Sequence, residues 1–285
     1  MAVHQRELVW DGCLNVRDLG GHATQDGGET RYGSVVRADS IRQLTEAGWR
    51  AAVDYGIRTV IDLRGDYERE DDPPAELPVE VLHVPFMEAA EREWKEIETE
   101  LEEVRDETDI AVATRDVYLI FLERFKQNVA AGIKAVARAP EGGIVVHCVG
   151  GKDRTGLLTA FLLHLVGVDT AQIASDYALS EERLRPRHEE WFAQAETEAE
   201  LERLRRISQT PAESMVGVFA ELERRYGSVE DYLRSAGVSD EPRPPPRARY
   251  GFYWFIWGGP PPLSRGTRGK PPRVLRTAPQ AVPRG

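Results

Sequence analysis

One stretch of the chain gathers residues able to do chemistry: Val146-His147-Cys148-Val149-Gly150-Gly151-Lys152-Asp153-Arg154-Thr155-Gly156. The apolar run Ile144-Val145-Val146 leads into it, and a mostly apolar helical run, residues 156–165, leads out. A loop between a strand and a helix points backbone N–H groups at one spot, and the helix N-terminus adds partial positive charge. Gly150 and Gly151 let the backbone wrap closely without a side-chain clash. Arg154, six residues after Cys148, offers a planar two-pronged donor to phosphate oxygens. A cysteine in such a positive cradle is favoured as thiolate, so Cys148 reads as a nucleophile aimed at phosphorus.

Four other readings compete. A Walker nucleotide loop fails because Asp153 stands where Ser or Thr should bind magnesium and Val146 replaces the first glycine. A buried, inert cysteine near an ordinary helix start leaves the joint presence of His147, two glycines and Arg154 without a reason. Rhodanese-type sulfur transfer also uses a cradled cysteine but does not require Arg154, and a silent phosphate-binding module would not need Cys148.

These residues need a scaffold, and the chain is large enough for one: 285 residues, 32.0 kDa, 41% hydrophobic and 30% charged. Two cysteines, Cys13 and Cys148, exclude a disulfide framework and a cysteine-built zinc site. No apolar run is long enough to span a bilayer, and no apolar signal segment follows the N-terminal charges; the expectation is a cytoplasmic, monomeric protein without metal or cofactor. Residues 242–285 hold nine Lys or Arg, no Asp or Glu and 11 of the 18 prolines, so of the net −11 the body, residues 1–241, bears −20. A body that acidic repels polyanions, which argues against nucleic-acid partners.

The body alternates strand and helix patterns, as an α/β domain does. Thr59-Val60-Ile61-Asp62-Leu63, residues 79–86 and residues 144–146 read as strands. Residues 89–105 read as an amphipathic helix with Ala90, Trp94, Ile97, Leu101 and Val104 on one face. A second helix carries Tyr118, Leu122, Phe125, Val129, Ile133 and Val136. Thr210-Pro211-Ala212-Glu213 reads as a capping box opening a further helix with Met215, Phe219, Leu222 and Tyr226 on its apolar face.

His147-Cys148-x5-Arg154-Thr155 resembles the signature of the cysteine-dependent protein tyrosine phosphatase superfamily, and its Gly-Lys-Asp-Arg-Thr-Gly form resembles that of the atypical bacterial branch. Asn15-Val16-Arg17-Asp18-Leu19-Gly20-Gly21 is similar to that branch's opening motif. Arg37-Ala38-Asp39-Ser40, Leu44-Thr45, Gly56-Ile57, Ile61-Asp62-Leu63-Arg64 and Tyr226-Gly227-Ser228 follow in its order. The resemblance covers about residues 7–240. It implies a phosphatase fold with a central, mainly parallel sheet flanked by helices and a helical lid, drawn from the helix at 89–105 and the one after it. It also implies hydrolysis of phosphomonoesters through a cysteinyl-phosphate intermediate, without metal, on protein phosphotyrosine, with phosphoserine, phosphothreonine and phosphoinositides as further substrates.

On that resemblance Cys148 attacks, while Arg154 and the amides of Val149, Gly150, Gly151, Lys152, Asp153 and Arg154 hold the equatorial oxygens. Thr155 hydrogen-bonds the thiolate, and Lys152 serves a headgroup with several phosphates, or else pairs with Asp153 or faces solvent. Asp153 is the first candidate for the proton-transferring acid. Asp62 at a strand end and Glu88 after the strand at 79–86 are the alternatives. Bonding to loop amides or to Arg64 is an equal reading of Asp62, and the start of a solvated acidic helix is the other reading of Glu88. His147 supports the loop, while Asp18 and Arg17 brace it, Asp18 with a reach towards substrate. Residues 242–285 are expected to be a disordered tail. Their aromatic cluster, residues 250–257, has three readings: a membrane anchor, a partner-binding segment, or the product of a shifted reading frame, the last fitting the abrupt switch in composition best.

Overall fold

The computed structural model describes residues 5–71, 77–105 and 107–238. The tail expected at residues 242–285 lies outside the described residues. Five strands form one sheet: β1 (Arg17–Asp18), β2 (Val35–Ala38), β3 (Ile57–Asp62), β4 (Glu80–His83) and β5 (Gly143–His147), in the order β1-β2-β5-β3-β4. Only β1 runs antiparallel, pairing with β2; the other pairings are parallel. Ten helices surround the sheet among the described residues: α1 (Glu46–Tyr55), α2 (Asp66–Asp71), α3 (Glu91–Arg105), α4 (Ile110–Arg124), α5 (Lys126–Arg138), α6 (Asp153–Leu165), α7 (Thr170–Gln194), α8 (Glu198–Ser208), α9 (Ala212–Tyr226) and α10 (Val229–Ser235).

β5 reads as an unbroken apolar run because both its faces are covered. Ile144 and Val146 join the large core under α5, α6, α7, α9 and α10, whereas Val145 joins a second core with Trp10, Val36, Ala52, Ile57 and Val60. Since β5 is central, its carboxyl end opens between those of β2 and β3. That places the loop at residues 148–152 in the crevice where open α/β sheets bind ligands. α6 then leaves the crevice through the core, with Leu157, Leu158, Phe161 and Leu162 all buried.

Two expectations change. The second predicted helix is two, because the chain turns at Phe125, whose buried side chain packs with Ile97 and Leu101 of α3 rather than continuing the stripe of α4. The capping box at Thr210 does not form. Its hydroxyl donates to the Ala178 carbonyl (3.0 Å) and accepts from the Glu181 amide (3.1 Å), so it ties the start of α9 to α7 instead. No helix among the described residues is long and apolar enough to cross a membrane.

Phe161 joins α6 to α9 and α10, its ring 6.0 Å from that of Phe219 and 5.6 Å from that of Tyr232. Phe161→Ala is expected to cost about 3–5 kcal/mol, as buried aromatic truncations do, measured as a lowered midpoint in urea unfolding. A change below about 1 kcal/mol would contradict this packing.

Candidate active site

The loop after β5 is held from outside by its carbonyl oxygens. That of Cys148 accepts from His147 Nδ1 (3.0 Å), and that of Val149 accepts from the Ser40 amide (2.8 Å). Asn15 Nδ2 donates to the carbonyls of Gly150 (3.0 Å) and Gly151 (3.1 Å), and Arg37 Nη2 also donates to that of Gly151 (2.8 Å). With these carbonyls turned towards the body, the loop amides are left to face the opposite side. Among the described residues the amides of Val149, Gly150, Gly151 and Lys152 donate to no protein acceptor. The loop runs into the N-terminus of α6, which adds its own partial positive charge. Gly151 has φ +64°, and a Cβ there would lie 2.3 Å from the Ala38 carbonyl oxygen. Only glycine fits.

Cys148 is buried at the root of this loop. Arg154 lies in the first turn of α6, and Glu68 of α2 grips its guanidinium at both ends, Nη2 to Oε1 at 2.7 Å and Nη1 to Oε2. The Gly65 amide donates to the same Glu68 Oε2 (2.8 Å) and steadies the carboxylate. Burial pushes the Glu68 carboxyl up, but Arg154 outweighs it and the net shift is down. The fork of Arg154 is therefore oriented before any anion arrives, with Nε still available to one.

Behind the loop lies a buried ionic cluster. Asp176 of α7 accepts from Arg17 Nε (2.9 Å) and Arg37 Nη1 (2.7 Å), and it also pairs with Arg6. Burial pushes the Asp176 carboxyl up, but Arg17 and Arg37 hold it far below the ordinary carboxylate range. Arg17 in turn donates to Asn15 Oδ1 (2.5 Å), and Asp39 fixes the Asn15 backbone by accepting from its amide (2.9 Å). Asp176, Arg17 and Asn15 thus form a relay from α7 to the loop carbonyls.

Asp153 opens α6, and its Oδ1 accepts from the Tyr118 hydroxyl (2.6 Å). It lines a cavity of about 600 Å³ between α3, α4, α8 and the loop, with Val104, Ile110 and Val117 among its apolar walls and Lys152, Arg203 and Arg206 supplying cations. The helix expected at 89–105 and its successor both reach this cavity, α3 through Val104 and α4 through Ile110 and Val117, and α8 joins them through Arg203 and Arg206.

Lys152 does not point at the loop's interior. Its ammonium donates to the Ile207 carbonyl in the last turn of α8 (2.5 Å) and lies 3.6 Å from Asp153 Oδ1. Of the arrangements expected for it, the structure shows the pairing with Asp153, to which it adds the tie to α8.

Asp62 stands at the end of β3 as a structural carboxylate. Arg64 donates to it through Nε and Nη2, both at 3.0 Å, and through its amide (3.1 Å), while His147 Nε2 lies 3.5 Å away. Burial pushes the Asp62 carboxyl up, but the hydrogen bonds and charge of Arg64 outweigh it and the net shift is down. A carboxyl held ionised in this way makes a poor proton donor. Burial lowers the pKa of His147, consistent with a neutral ring that supports the loop.

Asp18 does not reach the loop. It accepts from the amides of Gly20 (2.6 Å) and Gly33 (2.7 Å) and from the Tyr55 hydroxyl, closing turns at the sheet edge. Glu88 is exposed between β4 and α3 and makes no contact with the loop among the described residues. Thr155 is fully buried, and its hydroxyl has no partner among the described residues. The two cysteines are unlinked; the Cys13 thiol donates to the Ser40 carbonyl (3.4 Å) and is pushed far up by burial and then by Asp39.

Glu68, Asp176 and the supporting contacts of Asn15 and Arg37 went unread in the sequence. Glu68 belongs to an acidic run with Asp66, Glu70 and Asp71, where nothing local singles it out. Asn15, Arg17 and Arg37 did carry a signal, since all three belong to the quoted motifs.

Two outcomes follow. Gly151→Ala should lower kcat/KM at least ~100-fold, the order lost when an oxyanion donor is displaced, with stability affected far less; near-normal turnover would contradict the loop geometry. Asp176→Asn should cost about 3–5 kcal/mol at neutral pH by leaving buried arginines unpaired. Its native carboxyl is depressed, so its stabilisation is full above the unfolded Asp value and is lost as pH falls below it. Denaturant midpoints of the two proteins should therefore converge on acidification below about pH 4.

Residues 8–250 match the model of the tyrosine phosphatase family, a span that runs past the composition break near residue 240. The chain is 30% identical over 267 residues to the triple specificity protein phosphatase PtpB of Mycobacterium tuberculosis, covering 82% of this chain and 94% of that protein. It is 25% identical to a tyrosine-protein phosphatase of Nostoc commune, over 73% of this chain and 71% of the relative. With the cradle, Cys148 and the oriented Arg154 in place, the chain belongs to the tyrosine phosphatase family and is a protein tyrosine phosphatase.

Proposed function

We propose that the enzyme hydrolyses protein phosphotyrosine through a cysteinyl-phosphate intermediate, with phosphoserine and phosphothreonine as lesser substrates. The observation that carries this reading is the loop itself: carbonyls of residues 148–151 tied outward, amides unclaimed, and Cys148 at its root. The Cys148 thiolate attacks phosphorus in line as the ester oxygen departs. The amides of residues 149–154 and Arg154 take the equatorial oxygens, where charge must be stabilised. Asp153 gives its proton to the leaving oxygen. As a carboxylate it then takes a proton from the water that displaces Cys148 from phosphorus. Thr155, with its unpartnered hydroxyl, donates to the sulfur as the thiolate leaves.

Phosphoinositides are the second reading, supported by the cations Lys152, Arg203 and Arg206 around the cavity beside Asp153. Sulfur transfer is disfavoured, since it has no need of the Glu68–Arg154 fork. A body comprising residues 1–241 is proposed to carry the activity.

In EDTA, Cys148→Ser should abolish turnover of para-nitrophenyl phosphate while still binding phosphate analogues. Arg154→Lys should lose at least ~100-fold, because one ammonium cannot replace the planar fork. Asp153→Asn should slow poor leaving groups far more than activated aryl phosphates. Turnover by the Cys148 variant, or thiosulfate consumption without phosphatase activity, would refute the reading.

A further inference from the structure

We propose that Tyr118 is a positioning residue for the Asp153 carboxyl, and that Tyr177 positions Tyr118; the inference rests on reading Asp153 as the acid and base of the reaction. Tyr118 sits on the apolar stripe of α4, where its ring would be ordinary core. Its hydroxyl is not core. It lies 2.6 Å from Asp153 Oδ1 and 2.8 Å from the Tyr177 hydroxyl, and the two rings meet edge to face at 6.1 Å. Both side chains are almost wholly buried, so each hydroxyl needs a partner inside the protein.

The direction of the chain follows from the chemistry of its end. Burial first, and then the charge of Asp153, raise both phenols far above their ordinary range, so both stay protonated. An ionised carboxylate can only accept. Tyr118 therefore donates to Asp153, and Tyr177 donates to Tyr118. With Oδ1 occupied as an acceptor, the proton that Asp153 transfers resides on Oδ2. The rotor is fixed and the working oxygen is selected.

The other charged groups around Asp153 come from the loop and from α8. Lys152 lies 3.6 Å from the same Oδ1, Arg203 and Arg206 share its cavity, and Cys148 and Arg154 belong to its own loop. Among the described residues the Tyr118 hydroxyl meets only Asp153 and Tyr177. A limb of the pH profile that moves when only the Tyr118 hydroxyl is removed therefore reports on Asp153.

Tyr118→Phe keeps the ring and removes the donor. Losing a hydrogen bond to the charged form raises the pH at which Asp153 gives up its proton. The high-pH limb of kcat/KM should therefore move up by about one pH unit, roughly what one hydrogen bond to a charged group is worth. On an alkyl phosphate the rate should also fall ~10-fold, a part of what a positioned acid contributes. Para-nitrophenyl phosphate, whose leaving group needs little protonation, should change much less. Tyr177→Phe should shift the limb in the same direction by less. It carries the test alone if the Tyr118 variant does not fold.

In an Asp153→Asn background, adding Tyr118→Phe should alter neither the profile nor the leaving-group dependence further. A folded Tyr118→Phe enzyme that slows both substrates equally with an unmoved limb overturns the inference and leaves a packing role. So does an unmoved limb in Tyr177→Phe when it alone can be measured. If Asp153→Asn itself retains the limb and the leaving-group dependence, the assignment of Asp153 falls, whereas a shift there without one in Tyr118→Phe removes only the positioning role.

Discussion

The carbonyl oxygens of residues 148–151 point away from the space their loop encloses, and every feature of the site depends on that. A peptide unit cannot aim its N–H inward unless its C=O is satisfied elsewhere, because a buried, unpaired carbonyl costs free energy comparable to a lost hydrogen bond. The donors here are His147, the Ser40 amide, Asn15 and Arg37. They come from the ends of β5 and β2 and from the segment before β1, so the sheet order that sets β5 beside β2 is also what shapes the anion cradle.

Those donors must themselves be held. Arg37 and Arg17 are buried cations whose common acceptor is Asp176, far along the chain on α7. The arrangement exchanges stability for geometry, since a buried ion pair often contributes little net free energy but is costly to break. What it secures is position: α7 packs against α6 and α9, and its carboxylate fixes the arginine that fixes the loop. Tyr177, the residue after Asp176, extends the same helix's control to Asp153 through Tyr118. One turn of α7 thus reaches both the cradle and the Asp153 side chain.

The sheet's central strand, the loop and the helix after it were legible because their signals are local: an apolar run, paired glycines, then an apolar helix. The outer helices were legible as stripes, but the turn at Phe125 was not, since its side chain fits the stripe of α4 yet packs with Ile97 and Leu101 of α3. Among site residues, Asp62 and Glu88 looked eligible because one ends a strand and the other follows one. Arg64 and His147 claim the first, and the second stands in solvent. Glu68 was illegible because it meets Arg154 from 86 positions away, and Lys152 could not be seen to reach for the Ile207 carbonyl 55 positions on. Pairings across such separations are set by the tertiary fold, and a single sequence carries no local trace of them.

The charges of the site then make physical sense against a body bearing −20. A phosphate dianion approaching such a body meets repulsion everywhere except where cations and oriented amides gather. Yet Arg154, in the first turn of α6, is already paired with Glu68 and presents part of its charge neutralised. The pairing is tolerable because a guanidinium has five N–H donors in a fixed plane and Glu68 occupies only one on each Nη. Nε and the remaining Nη donors keep their direction, which a free arginine would lose entropy to regain. The attraction that Glu68 takes from Arg154 is supplied by the loop amides and the α6 terminus, whose partial charges need no counter-ion and no reorganisation at the moment of reaction.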